Sequence, residues 1–176
     1  MSHQNPQRRR LEFYQLEGEN RYFNFWFKFR NPLRIFLNFL IIALCKYLPP
    51  LPIKNSLYRA IGIKVGKNVF IGWGVEVDAF FPELIEIGDN SLIGSRAILK
   101  THELTAHEWR KGPIKIGKNV LIGACTLVLP GVEVGDEADI SAMSLVDRDV
   151  APYVWAEGVP IHKVLDEKSG GNQKEF

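Results

Sequence analysis

The stretch K-T-H-E-L-T-A-H-E-W-R-K-G-P, residues 100–113, holds His102 and His107, two of the chain's four histidines, beside carboxylates, an aromatic and basic side chains. An imidazole with an ordinary pKa of about 6.5 can take a proton from a hydroxyl near neutral pH and hand one to a departing group. Such chemistry favours loops that a rigid scaffold holds in place. Glu103 stands beside the first of these histidines, and Asp78 heads a second, shorter irregular stretch upstream. Taken singly, each is as easily a solvated surface group; only the elements around them can decide.

Those elements follow a period of six. Val65, Ile71, Val77; Ile87, Ile93, Leu99; and Ile116, Ile122, Val128, Val134, Ile140, Val146 are all aliphatic. Where the step is unbroken, the residue four places on is small or a valine: Val69, Val75, Ser91, Ala97, Val120, Thr126, Val132, Ala138, Ser144, with Val150 closing the series. Glycine directly follows seven of the aliphatics, at 66, 72, 88, 94, 117, 123 and 135, as tight corners with no room for a Cβ require. Self-similarity at this period predicts an all-β parallel β-helix whose coils bury their inward residues by stacking. A sandwich of alternating strands would need period two and hairpin turns instead.

Grouped in threes, the hexapeptides give about four coils, opened by Val65, Ile87, Ile116 and Val134. Both breaks in the period, after Val77 and after Leu99, then fall on the third hexapeptide of a coil. Adjacent coils stack at about 4.8 Å, so Asp78 and His102 are expected to line one pocket.

The runs I-G-D-N-S-L-I-G-S-R-A at 87–97 and I-G-K-N-V-L-I-G-A at 116–124 resemble the hexapeptide-repeat acyltransferases, above all the O-acetyltransferases of maltose, galactosides, nodulation factors and surface polysaccharides. The likeness spans roughly residues 61–164. It implies a left-handed helix of triangular section, a homotrimer with active sites between subunits, and acetyl-CoA as co-substrate with no metal. The acceptor it implies bears a hydroxyl or amine. By the same resemblance His102 is the base, the Ala124 N–H stabilises the oxyanion and meets the cofactor, and the Ala142 N–H bonds the pantetheine arm. Asp78, Glu103 and His107 would face the acceptor, and Arg148, His162 and Lys163 the cofactor. In A-P-Y-V-W-A-E-G-V-P-I-H-K-V, 151–164, Ile161 and His162 replace the family's usual alanine and base, and Ser141 replaces a glycine.

The chain divides into an extension at 1–60 with an amphipathic helical segment, the β-helix at 61–150, a cap at 151–165 and a polar, disordered tail at 166–176. Within 22–48, Lys28, Asn31, Arg34 and Asn38 form a polar stripe between apolar faces. The segment suits an in-plane membrane anchor ahead of the Pro49-Pro50 break, or a cap that covers the open β-helix or packs between subunits. An anchor would make a lipid-linked sugar a natural acceptor. The run Leu33 to Leu48 is interrupted by Arg34, Asn38 and Lys46 and is too short to span a bilayer. A net charge of +2 gives no pull toward nucleic acid. Two cysteines and no evident leader sequence make the cytoplasm, or the inner face of the cell membrane, the expected location.

Two other readings share the scaffold. The spacing H102-x4-H107 resembles that of the β-helical carbonic anhydrases, whose zinc needs a third imidazole. Residues 65–99 hold no histidine; His3 lies far upstream and His162 after the coils. The other reading is a non-catalytic scaffold that binds partners through flat faces, against which an intact histidine loop argues.

Overall fold

The computed structural model describes residues 9–16, 30–105 and 107–163. Three parallel sheets wrap one core. The first face stacks Lys64–Val65, Ile85–Ile87, Ile114–Ile116 and Glu133–Val134; the second stacks Phe70–Ile71, Leu92–Ile93, Leu121–Ile122, Asp139–Ile140 and Trp155–Glu157; the third stacks Glu76–Val77, Ile98–Leu99, Leu127–Val128 and Leu145–Val146. The registers pair Val65 with Ile87, Ile116 with Ile87 and Val134, Val77 with Leu99, and Val128 with Leu99 and Val146. The period-six frame is therefore the frame of the coils. All twelve aliphatics and their ten partners four places on are buried. Beyond the fourth coil, an isolated bridge from Val134 to Val150 and the strand at Trp155–Glu157 begin a fifth turn.

The corner glycines owe their place to close approach. A Cβ on Gly94 would stand 2.5 Å from the Ala124 nitrogen, and one on Gly123 would stand 2.3 Å from that of Ala142. No side chain fits there. The left-handed backbone positions fall to other residues, among them Asn68, Asn90, Asn119 and Cys125, asparagine being tolerant of that conformation.

The open end of the helix is closed from the N-terminal side. Helix α1, Pro32–Tyr47, starts at Asn31, whose side chain accepts from the Leu33 N–H, with Pro32 in the first turn. Helix α2, Pro52–Ala60, follows the proline break. Within the stack, each coil's N–H groups donate to carbonyls of the next, as Gly66 does to Ile87 and Phe70 to Ser91. The first coil's own carbonyls have no earlier coil to serve them. Side chains of α2 take that role: Arg59 Nε donates to Val65 O at 2.9 Å, Asn55 Nδ2 to Val69 O at 2.7 Å and Lys54 Nζ to Gly72 O at 2.8 Å. An exposed sheet edge is thus converted into a paired one.

Two expectations change. The stripe that included Asn38 is not solvent-facing there: Asn38 is buried and its Nδ2 donates to Ala79 O at 2.8 Å, docking α1 on the first insertion. The extension also contains a strand, Glu12–Gln15, which pairs antiparallel with Glu108–Lys111. Residues 22–29 of the amphipathic segment, with Lys28, and the tail at 166–176 lie outside the described residues.

Candidate active site

Both insertions leave the corner that follows the third face. The first runs from Asp78 through Phe80 and Phe81 to a single 3-10 turn at Pro82–Leu84. The second folds back on itself as a hairpin, His102–Leu104 against Glu108–Lys111, to which the N-terminal strand adds a third member. A separate apolar cluster ties the pieces together. Tyr14 stacks on Trp109 at 4.5 Å between ring centroids, and Trp109 on Phe81 at 5.5 Å. Phe80 lies 4.9 Å from the His102 ring. Rings packed this way fix the imidazole from the side.

Asp78 fixes it from below. The Asp78 Oδ2 atom is 2.5 Å from His102 Nδ1 and also accepts from the Thr101 N–H at 3.0 Å, while Oδ1 accepts from the Phe80 N–H at 2.8 Å. The Asp78 side chain is wholly buried and that of His102 is 16% exposed. Burial alone would push the Asp78 carboxyl up. The hydrogen bond and charge of His102, with the bonds from Phe80 and Thr101, prevail and hold it below the ordinary aspartate range. An anionic carboxylate on Nδ1 selects the tautomer in which proton traffic falls to Nε2.

The pocket over this pair, about 470 Å³, is walled by Phe39, Ala43 and Tyr47 of α1, by Phe80, and by Lys46, Lys100 and Glu76. Glu76 accepts from Lys100 at 2.6 Å and from Lys46 at 3.2 Å. A larger groove of about 950 Å³ shares Lys46, Tyr47 and Glu76 with the pocket and reaches Ser95, Ala124 and Cys125. Ala124 therefore lies along a surface joined to the His102 pocket, not within that pocket. The flanking Gly123 and Cys125 N–H groups bond neighbouring coils, whereas the Ala124 N–H has no acceptor among the described residues, and nor has that of Ala142.

The remaining expected site residues are spread out. Glu103 is engaged by both Arg9 guanidinium nitrogens at 3.0 Å and by Arg110, so its carboxylate braces the hairpin. His107 is exposed at the hairpin turn, where its carbonyl accepts from Leu16 N–H. Asp78 sits beneath the imidazole, not at the pocket mouth. Arg148, His162 and Lys163, in contrast, do converge on one depression of about 320 Å³ at the far end of the helix. Among the described residues no three His, Cys, Asp or Glu side chains gather as a metal-binding group. The stack of Tyr14, Trp109 and Phe81 was not anticipated; the density of aromatics in the insertions was its one sequence signal.

A parallel β-helix on a hexapeptide frame, with a buried aspartate holding a histidine at a shared corner, defines the class of protein. The family model described as the hexapeptide repeat of succinyl-transferase matches residues 85–99 and 113–147. The chain is 39% identical over 137 residues to the Bacillus subtilis protein named "Putative acetyltransferase YvoF", covering 77% of this chain and 80% of that one. It is 37% identical over 123 residues to the galactoside O-acetyltransferase of Escherichia coli, covering 65% and 60% of the two. A solved galactoside acetyltransferase in complex with coenzyme A superposes with a TM-score of 0.56 at 25% identity, over 77% of this chain and 81% of that one. The chain belongs to the hexapeptide-repeat acetyltransferase family, whose architecture implies the left-handed sense of coiling.

Proposed function

We propose that the protein transfers an acetyl group from acetyl-CoA to a hydroxyl of a sugar or glycan precursor, with His102 as general base. The observation that carries this reading is the His102–Asp78 pair at the floor of a pocket in a member of this family. Its galactoside-acetylating relatives supply the substrate class. The acceptor hydroxyl gives its proton to Nε2 as its oxygen attacks the thioester carbonyl. The buried Asp78 anion stabilises the imidazolium that forms. The Ala124 N–H bonds the tetrahedral oxyanion, whose collapse breaks the C–S bond. The departing thiolate then takes the proton from Nε2, leaving free coenzyme A and the acetyl ester.

Asp78 here is a positioning residue and not an acceptor contact, and Glu103 and His107 serve the hairpin. Arg148, His162 and Lys163 suit the anionic end of the cofactor, and the Ala142 N–H its pantetheine arm. The working unit is a homotrimer. Support for it comes from Phe70, Leu92 and Leu121, which point outward in one line on the second face and remain exposed. The inner surface of the cell membrane is the proposed place of work; no helix among the described residues is long and apolar enough to cross a membrane.

Following thiol release from acetyl-CoA with a panel of simple sugars tests the reading. Release that depends on both the sugar and His102 is expected. No thiol release with any sugar, together with no acetyl-CoA binding by calorimetry, overturns it.

A further inference from the structure

Helix α1 has a buried face and, opposed to it, an exposed apolar stripe. Ile35, Asn38, Ile42 and Cys45 are buried against the β-helix, while Leu33, Phe36, Leu37, Leu40, Leu44 and Tyr47 run along the opposite side, at the spacing of one helical face, and are exposed. Leu37 is 50% exposed and Tyr47 83%. Leu51 and Ile53 continue the surface past the proline break. A contiguous apolar face of this kind marks a docking surface.

Its charges point to the occupant. From residue 31 to residue 64 the chain has no Asp or Glu but carries Arg34, Lys46, Lys54, Arg59 and Lys64. Among the described residues Arg34 and Arg59 have no carboxylate within ion-pair distance. Lys54 is buried and Lys46 and Lys64 are paired with Glu76 and Glu86, so Arg34 and Arg59 are the exposed, uncompensated cations of this surface. Apolar side chains in a plane with such cations beside them complement an anionic lipid surface. Sixteen residues rise about 24 Å, and with the inner stripe bound to the β-helix, α1 can only lie flat.

The third observation is continuity with the active site. Phe39, Ala43, Lys46 and Tyr47 wall the His102 pocket from the flank of α1, and Tyr47 belongs to both surfaces. At about 100° per residue, the pocket wall is roughly a quarter-turn around the helix from the outer stripe. A chain lying on a bilayer through that stripe would open its pocket at the lipid interface.

We propose that α1 docks the enzyme on an anionic bilayer and that its acceptor is a hydroxyl carried on a lipid anchor, reaching His102 along the Tyr47 flank. This rests on the acetyl-transfer reading and narrows its acceptor class.

The test compares the full-length protein with the double variant Leu37→Gln, Leu40→Gln, which removes apolar surface without adding charge on a helix that tolerates glutamine. Flotation uses vesicles of equimolar phosphatidylglycerol and phosphatidylcholine, with pure phosphatidylcholine for comparison. The wild type should float with the anionic vesicles and the variant about tenfold less. Turnover is followed with dodecyl glucoside in those vesicles and with free methyl glucoside. The variant should lose activity on the first and keep it on the second. Equal flotation of the two proteins overturns the proposal, and so does a fall in oligomer mass in the variant, which would give the face to a second copy. Full activity on methyl glucoside with no preference for the vesicle-borne acceptor removes the lipid-anchored substrate while leaving acetyl transfer standing. Vesicle binding without turnover of any acceptor would reject acetyl transfer and keep the docking.

Discussion

His102 Nδ1 and Asp78 Oδ2 stand 2.5 Å apart although 24 residues separate them in sequence. One coil of the helix, opened by Ile87, lies between. The contact exists because Val77 and Leu99 are register partners on the third face, so that residues just beyond each leave the same corner at adjacent heights.

His102→Ala removes the proposed base and should lower kcat by about two to four orders of magnitude, with little change in acetyl-CoA binding. Asp78→Asn is the more informative change. All of the partners seen on the Asp78 carboxylate are donors, namely the Phe80, Phe81 and Thr101 N–H groups and the imidazole Nδ1. The amide NH2 must face one of them. We expect a kcat loss of about a hundredfold and a stability loss of about 1–3 kcal/mol. Steady-state kinetics on both variants checks this; a fully active Asp78→Asn enzyme would reject the positioning role.

The same pair sets an acid limit on stability. Asp78 titrates below its unfolded value of about 3.9. The unfolded chain therefore binds more protons in the window between the two values, and stability rises with pH across it. The contribution is present above about pH 4 and is lost as pH falls through the folded-state value. Melting temperatures of the wild type and Asp78→Asn, followed from pH 7 downward, should converge at the acid end. A gap of constant size would place the stabilisation elsewhere.

The parts that repeat were legible in the sequence, and the parts formed by distant pairing were not. Each coil states its inward aliphatic, its small partner and its corner glycine locally, so the frame from Val65 to Val146 matches the observed registers residue for residue. The shared corner follows from that frame alone. The strand Glu12–Gln15 has no such signal: it is four residues long and its partner begins at Glu108. Asn38 looks like one member of a polar stripe because hydropathy cannot foresee a side-chain amide donating to the Ala79 carbonyl. Stacking of the coils predicts that Asp78 lies near His102, but its depth beneath the imidazole depends on how the insertion folds back through Phe80 and Phe81.

Lys54 offers a test of how the helix is closed. Its Nζ is buried and donates to Gly72 O at 2.8 Å and Leu48 O at 3.2 Å, binding the first coil to the chain between the two helices. Burial lowers its pKa. Lys54→Met keeps the stem but leaves both carbonyls without this donor, at a cost of about 2 kcal/mol. Scanning calorimetry should read a fall of about 4–8 °C in Tm for a chain of this size. Arg59→Met, whose guanidinium serves Val65 O and Gly66 O nearer solvent, should cost less.

Arg148, just before the C-terminal cap, and Lys163, near its end, line one depression with His162. Arg148 is held by Asp147 through two hydrogen bonds, so a phosphate would compete with a carboxylate for it, whereas Lys163 has no such partner among the described ion pairs. Lys163→Ala should therefore raise the KM for acetyl-CoA by about tenfold, the size of one charge-assisted bond, with kcat nearly unchanged. Arg148→Ala should raise it less, since Asp147 already neutralises part of the charge. Acetyl-CoA lacking its 3′-phosphate separates a direct contact from a loosened cap. If Lys163 meets that phosphate, the variant and the wild type will bind the truncated donor equally. If the variant is impaired to the same degree with both donors, the lysine supports the cap and the phosphates bind elsewhere on the groove.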